Sequence, residues 1–231
     1  MPSRLPKNRP NGPVMHGVSL DDLFVDWLQS YPSAFRHLFY RDGIVNEAVY
    51  ARQKPRLLFI LAEPNGTKRN YASGEDPDLR RIFGERGLGK SIDLNLARWS
   101  AVVLDHTLKF FTPSREAARD ALQRIAVMNL KKLAGGGLAN LEAISVQAWR
   151  DRAFIRREVE LIQPSVILTC GRTASRLFPW IVTDDELSAL KPDSIWRLGR
   201  VPVLQVNHPS VRPKDAGRAF SRVVDRVLEL Q

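Results

Sequence analysis

Sulfur ligands and long apolar runs are nearly absent from this sequence. Cys170 is the single cysteine, which excludes an internal disulfide and any zinc or iron–sulfur site that needs several cysteines. No apolar run approaches the roughly 18–20 residues that a membrane-spanning helix needs. The basic start of the chain, residues 1–13, also lacks the apolar stretch of a secretory signal peptide. We therefore expect a cytoplasmic protein that has no membrane span.

Positive charge exceeds negative charge in the composition. The chain has 35 Lys and Arg residues against 25 Asp and Glu residues, a formal net charge of +10 at pH 7. This balance favours a polyanionic partner, and nucleic acid is the first candidate. A basic surface that is simply solvated is the alternative. The length of 231 residues suits one domain, so we predict a flexible basic arm over residues 1–18 and a single domain over residues 19–231.

Short apolar segments alternate with amphipathic segments along the chain. Four of the apolar segments are typical of strands covered on both faces, at residues 57–62, 125–130, 166–170 and 201–206. Helices are predicted from the N-cap Ser19, over about 91–111, over 114–124, over 151–162 and around Phe220. This alternation predicts a three-layer αβα fold around a four-stranded parallel sheet, preceded by an N-terminal helical segment.

Polar residues follow or end three of the predicted strands. Glu63 follows the first strand, Asn129 ends the second, and His208 follows the fourth. Because the carboxyl ends of parallel strands lie at one edge of a sheet, a carboxylate, an amide and an imidazole are expected to converge there.

Four segments resemble, in order, motifs of the uracil-DNA glycosylase superfamily. Residues 61–66 resemble the water-activating motif, 127–132 the strand that supplies a base-binding Asn, 163–174 the third strand and turn, and 207–210 the motif that opens the DNA-intercalating loop. The resemblance covers about residues 57–228. It implies a monofunctional DNA glycosylase that flips a base out of double-stranded DNA and needs no metal or cofactor. We expect the enzyme to be a monomer.

The resemblance assigns chemical roles to the residues at the strand ends. Glu63 is expected to stabilise the positively charged sugar and to orient or deprotonate water. His208 is expected to donate a hydrogen bond to the departing base. The amide of Asn129 offers both a donor and an acceptor to the edge of the flipped base.

The residues after the first-motif proline depart from the uracil-specific pattern. Uracil-specific members usually carry a bulky residue there, often tyrosine, whereas this chain has Asn65 and Gly66. The two are predicted to line the base pocket and to leave room beside the 5-position of a pyrimidine. The chain resembles in this respect the bacterial antiphage branch that removes glucosylated hydroxymethylcytosine from phage DNA. Excision of uracil or of a mismatched base is the alternative.

Basic and hydroxyl side chains near these motifs are candidates for DNA contacts, with plain solvation as the alternative for each. The predicted DNA-binding residues are Arg172, Ser210, Arg212, Lys214 and Lys131, with Lys132 as a further phosphate contact. Val211 or Arg212 is the candidate wedge that fills the space left by a flipped base.

Residues 84–91 match the phosphate-loop pattern of NTPases. The pattern works between a buried strand and a helix, and the segment before Gly84 is too charged for such a strand. A phosphate-loop NTPase and a DNA-binding module without catalysis are therefore the competing hypotheses.

Overall fold

Buried apolar strands form the centre of the computed structural model, which describes residues 19–64, 77–85, 90–135, 140–183 and 195–230. The predicted N-terminal arm, residues 1–18, lies outside the described residues. The strands are β1 (Gly43–Ile44), β2 (Leu57–Leu61), β3 (Ile125–Asn129), β4 (Val166–Cys170), β5 (Trp196–Leu198) and β6 (Val201–Val206). The helices before β3 are α1 (Leu20–Gln29), α2 (Ser33–Arg36), α3 (Glu47–Tyr50), α4 (Leu79–Glu85), α5 (Lys90–Asp105) and α6 (Arg115–Gln123). Those after it are α7 (Leu141–Arg150), α8 (Arg152–Ile162), α9 (Gly171–Val182) and α10 (Ala216–Leu228).

The sheet has six strands in the order β1-β3-β2-β4-β6-β5. The four inner strands are parallel and coincide closely with the four predicted strands. The prediction of a four-stranded sheet was incomplete, because β1 and β5 add antiparallel edges. Both edge strands are too short, at two and three residues, to show a clear pattern in the sequence.

Helices cover both faces of the sheet. On one face the core is formed with α1, α7, α8 and α9, and on the other with α4, α5, α6 and α10. Every residue of β2, β3 and β4 is buried, as expected for strands that are covered on both sides. Successive side chains alternate between the two layers: Leu58 and Ile60 pack on the α1 face, and Phe59 and Leu61 on the α5 face.

Helix boundaries confirm some predictions and correct others. Ser19 caps α1 in a reciprocal capping box with Asp22. The helix predicted over about 91–111 ends at Asp105, where His106 adopts a left-handed backbone with φ of 52°. Helix α7 was missed, although Asn140 caps its first turn. None of the helices in the described part of the chain is long and apolar enough to cross a membrane.

Candidate active site

The carboxyl ends of the four parallel strands lie level at one edge of the sheet. Leu61 pairs with Asn129 across β2 and β3, and Cys170 pairs with Val206 across β4 and β6. The chain passes from β2 to β3 on one side and then to β4 on the other, so the strand order reverses beside β2. In open parallel sheets the crevice at such a reversal is where ligands bind. Glu63 and His208 each lie two residues beyond their strand at this edge.

The Glu63 carboxylate forms an ion pair with Lys131. The distance from Lys131 Nζ to Glu63 Oε2 is 2.5 Å, and the two side chains are 12% and 9% exposed respectively. The segments that carry them extend the ladder of β2 and β3, because Leu130 N–H donates to the Leu61 carbonyl and Lys131 N–H to the Ala62 carbonyl. Lys131 was predicted to contact a phosphate. Its ammonium group is instead bound to the candidate catalytic carboxylate.

Gly135 packs its backbone directly against the same carboxylate. Its N–H donates to the Pro64 carbonyl at 2.9 Å, which holds residues 130–135 beside the Glu63 turn. A Cβ atom at position 135 would overlap all three atoms of the Glu63 carboxylate group. Lys131 and Gly135 therefore both confine the Glu63 carboxylate, and a side chain at position 135 would displace it.

We expect Gly135→Ala to leave the fold intact and to lower activity by a factor on the order of 10², because the methyl group displaces the flexible end of Glu63. The measurement compares catalytic rate and melting temperature with those of Gly217→Ala, where an added Cβ meets no atom within 4 Å. Full activity in Gly135→Ala would show that the position of the carboxylate does not matter.

Asn129 is fully packed at the end of β3, with only 1% of its surface exposed. Its backbone N–H and its Nδ2 both donate to Asp42 Oδ2, at 2.7 and 3.1 Å. Its Oδ1 has no hydrogen-bond partner in the structure. Asp42 thus fixes the orientation of the Asn129 amide, whose Oδ1 is itself buried. The base-binding role of Asn129 stays a prediction.

Asp42 belongs to a buried charge cluster that the sequence did not reveal. Lys132, with no exposed surface, forms ion pairs with Asp42 and with Glu158, the latter at 2.7 Å. Its ammonium also lies 4.9 Å from the centre of the Trp27 ring. The prediction that Lys132 contacts phosphate is therefore wrong, since the side chain is enclosed between the sheet and α1. Burial and the neighbouring Asp42 raise the pKa of Glu158, with Lys132 acting in the opposite direction.

His208 is held in a defined tautomer by Ser210. The Ser210 N–H donates to His208 Nδ1 at 3.2 Å, and the Ser210 Oγ lies 2.6 Å from the same atom. His208 is an exposed residue, and partial desolvation by the surrounding groups lowers the pKa of its imidazole, which favours the neutral form. Because Nδ1 accepts the backbone hydrogen bond, the ring hydrogen of the neutral form is on Nε2, which is then a donor. Ser210, predicted as a phosphate contact, thus orients the imidazole in the structure.

The loop that carries His208 is anchored by two buried polar residues of α5. Asn95 Nδ2 donates to the Pro209 carbonyl at 2.8 Å, and Arg98 donates to Asn95 Oδ1 at 2.8 Å. On the other side, Gly171 at the end of β4 has φ of +82°, and a Cβ there would approach His208 Cβ to 3.2 Å. Sequence patterns did not single out Asn95, because a polar residue near a helix start is usually solvated.

The remaining candidates divide between exposed positions and positions outside the described residues. Arg172, Arg212 and Lys214 are exposed. Arg212 is 75% exposed at its side chain and lies 3.6 Å from Asp215. Val211 packs against the core layer on the α5 face, which leaves Arg212 as the more exposed of the two wedge candidates. Asn65 and Gly66, predicted to line the base pocket, lie outside the described residues.

Two alternative kinds of site have little support in the geometry. Gly84, the first glycine of the phosphate-loop pattern, lies inside helix α4 and does not follow a strand. Within the described ranges, no three His, Cys, Asp or Glu residues are grouped so as to hold a metal ion.

No family model matches this chain, and no curated protein matches it significantly. The resemblance to the uracil-DNA glycosylase superfamily therefore stays a prediction from the sequence motifs.

Proposed function

We propose that this protein is a DNA glycosylase that flips a base out of duplex DNA and hydrolyses its N-glycosidic bond, leaving an abasic site. The observation that supports this most is the placement of Glu63 and His208 at the ends of β2 and β6, on either side of β4. The strands β2 and β6 lie two strand spacings apart, roughly 10 Å. The strand between them, β4, ends at Cys170, and the next residue, Gly171, has no side chain, so His208 can pack closely against it.

The two residues fit the opposite charges that develop when a glycosidic bond breaks. Glu63, paired with Lys131, provides a fixed negative charge for an oxocarbenium-like sugar and a base for the attacking water. His208 offers Nε2–H to a carbonyl oxygen of the base as negative charge collects there. A neutral imidazole suits this role because its Nε2–H can donate the hydrogen bond although the ring carries no positive charge.

DNA is the partner that the charge distribution favours. The net charge of +10 attracts a polyanion, and the exposed residues Arg172, Arg212 and Lys214 follow the same strand ends as the candidate catalytic groups. Contacts of this kind position a duplex without selecting a base sequence. We propose double-stranded DNA as the substrate and a monomer as the active form.

We further propose that the base is a pyrimidine with a bulky 5-substituent, such as glucosylated hydroxymethylcytosine. The small residues Asn65 and Gly66 after the first-motif proline support this choice. Uracil or a mismatched thymine is the second candidate, favoured by the general resemblance of the motifs.

The test incubates the purified protein with duplexes that contain one uracil, G·T mismatch, hydroxymethylcytosine or glucosylated hydroxymethylcytosine. Alkaline cleavage then reveals abasic sites. We expect cleavage of the glucosylated duplex and little of the others. Selective cleavage of uracil would favour the repair function, and no cleavage of any duplex would favour a DNA-binding module without catalysis.

A further inference from the structure

The pair formed by Glu63 and Lys131 is an amine and a carboxylate within hydrogen-bond distance of each other at the candidate site. A lysine attacks a carbonyl carbon as the neutral amine, and Glu63 is a base close enough to accept the ammonium proton. Both side chains keep part of their surface exposed, 9% for Glu63 and 12% for Lys131, so neither is fully enclosed.

None of the other described lysine side chains is both paired with a carboxylate and partly exposed. Lys132 also pairs with carboxylates, but it has no exposed surface. Lys54, Lys109 and Lys214 are exposed. Among the described lysine side chains, Lys131 is thus the one that is both paired with a carboxylate and partly accessible.

We propose that Lys131 also acts on the abasic site, as the amine of a Schiff-base lyase that cuts the DNA strand after the base has gone. The lyase activity extends the proposed function. It depends on the proposed function only in that the sugar must lie next to Glu63. It also differs from the monofunctional enzyme that the sequence resemblance implies. The substrate is the open-chain aldehyde of deoxyribose in DNA, whichever base was removed.

The chemistry balances with these two side chains and water alone. Lys131 gives a proton to Glu63, and its neutral amine adds to the C1′ aldehyde. Glu63 returns the proton to the hydroxyl of the adduct, which leaves as water and yields an iminium ion. The carboxylate then takes a proton from C2′, and the C3′–O bond breaks with the phosphate as leaving group. Water hydrolyses the imine and releases Lys131.

The experiment uses a synthetic duplex with one abasic deoxyribose site, so it needs no knowledge of the base. The full-length protein is mixed with this duplex and sodium borohydride, which reduces an iminium ion to a stable amine. We expect a covalent protein–DNA adduct, and peptide mapping by mass spectrometry should place it on Lys131. Without borohydride, we expect strand cleavage that leaves a 5′-phosphate on the downstream fragment.

Two variants make the test specific. Lys131→Arg keeps the positive charge beside Glu63 but has no nucleophilic amine, so adduct yield should fall about tenfold or more. Lys109→Arg, at an exposed position, should leave the yield unchanged. An adduct mapped to another lysine, an equal yield from Lys131→Arg, or no adduct from the unaltered protein would overturn the proposal. Since mapping uses the unaltered protein, a folding defect in a variant cannot hide the answer.

The outcomes also separate this proposal from the proposed function. Base excision without an adduct would leave a monofunctional glycosylase and refute the lyase. An adduct on Lys131 without excision of any base in the panel would support the lyase and refute the proposed base specificity.

Discussion

Replacing Glu63 by Gln should lower the rate of base excision by a factor on the order of 10²–10⁴, the usual contribution of a positioned acid–base group. The amide keeps the size of the side chain and an oxygen that can accept from Lys131. It loses the negative charge that we propose stabilises the sugar and the basicity that we propose activates water. Affinity for an abasic duplex should change by only about threefold, since charge contributes to the reaction more than to DNA docking.

The measurement is single-turnover excision on whichever duplex the substrate panel identifies, together with a binding titration. Glu160→Gln is the control, because that carboxylate is 63% exposed and pairs with Arg157 on the surface of α8. If Glu63→Gln weakened rate and binding equally, the residue would serve DNA binding or folding and not the chemical step.

Replacing Lys132 by Met should reduce the free energy of unfolding by about 3–5 kcal/mol at neutral pH, the cost of leaving a buried ionic partner uncompensated. The methionine fills most of the space beside Trp27, so the loss comes mainly from charge. Asp42 and Glu158 would then share a buried site with no cation. Urea unfolding followed by circular dichroism gives the free-energy change directly.

The destabilisation caused by Lys132→Met should depend on pH in a definite direction. A carboxyl group whose pKa is raised on folding binds more protons in the folded state, so stability falls as pH rises above 4.5, the ordinary value for Glu. The Lys132→Met protein should therefore be much less destabilised at pH 5 than at pH 8. Glu158→Gln is the control, because the glutamine amide resembles the protonated acid. This substitution should remove the fall in stability with rising pH. A loss below about 1 kcal/mol at pH 8 would contradict the role of Lys132 as a buried counter-ion.

The four parallel strands could be predicted because each contains a run of residues that are apolar on both faces. The same sequence gave little sign of β1 and β5, whose residues are few and only partly buried. The position of Glu63 and His208 at the same sheet edge could be predicted because each follows such a run, and parallel strands end at a common edge. Their hydrogen-bond partners were partly visible too, since Ser210 lies only two residues from His208.

The roles of Lys131 and Lys132 could not be inferred from sequence. As neighbours in an extended segment they point to opposite sides, one toward Glu63 and the other into the layer beneath α1. Their partners Glu63, Asp42 and Glu158 lie far away along the chain, so no local pattern connects them. Adjacent lysines after a strand are more commonly solvated, which is why both were expected to meet phosphates.

The hydrogen bonds that join the turn after β2 to the segment after β3 have a dynamic consequence. Leu130, Lys131 and Gly135 donate to the carbonyl groups of Leu61, Ala62 and Pro64, so neither segment can detach while the other stays in place. The two segments therefore form one cooperative opening unit, and amide hydrogen exchange at Leu130, Lys131 and Gly135 should proceed at similar free energies. The proposed catalytic carboxylate is thereby carried on a unit whose rigidity depends on a segment 68 positions later in the chain.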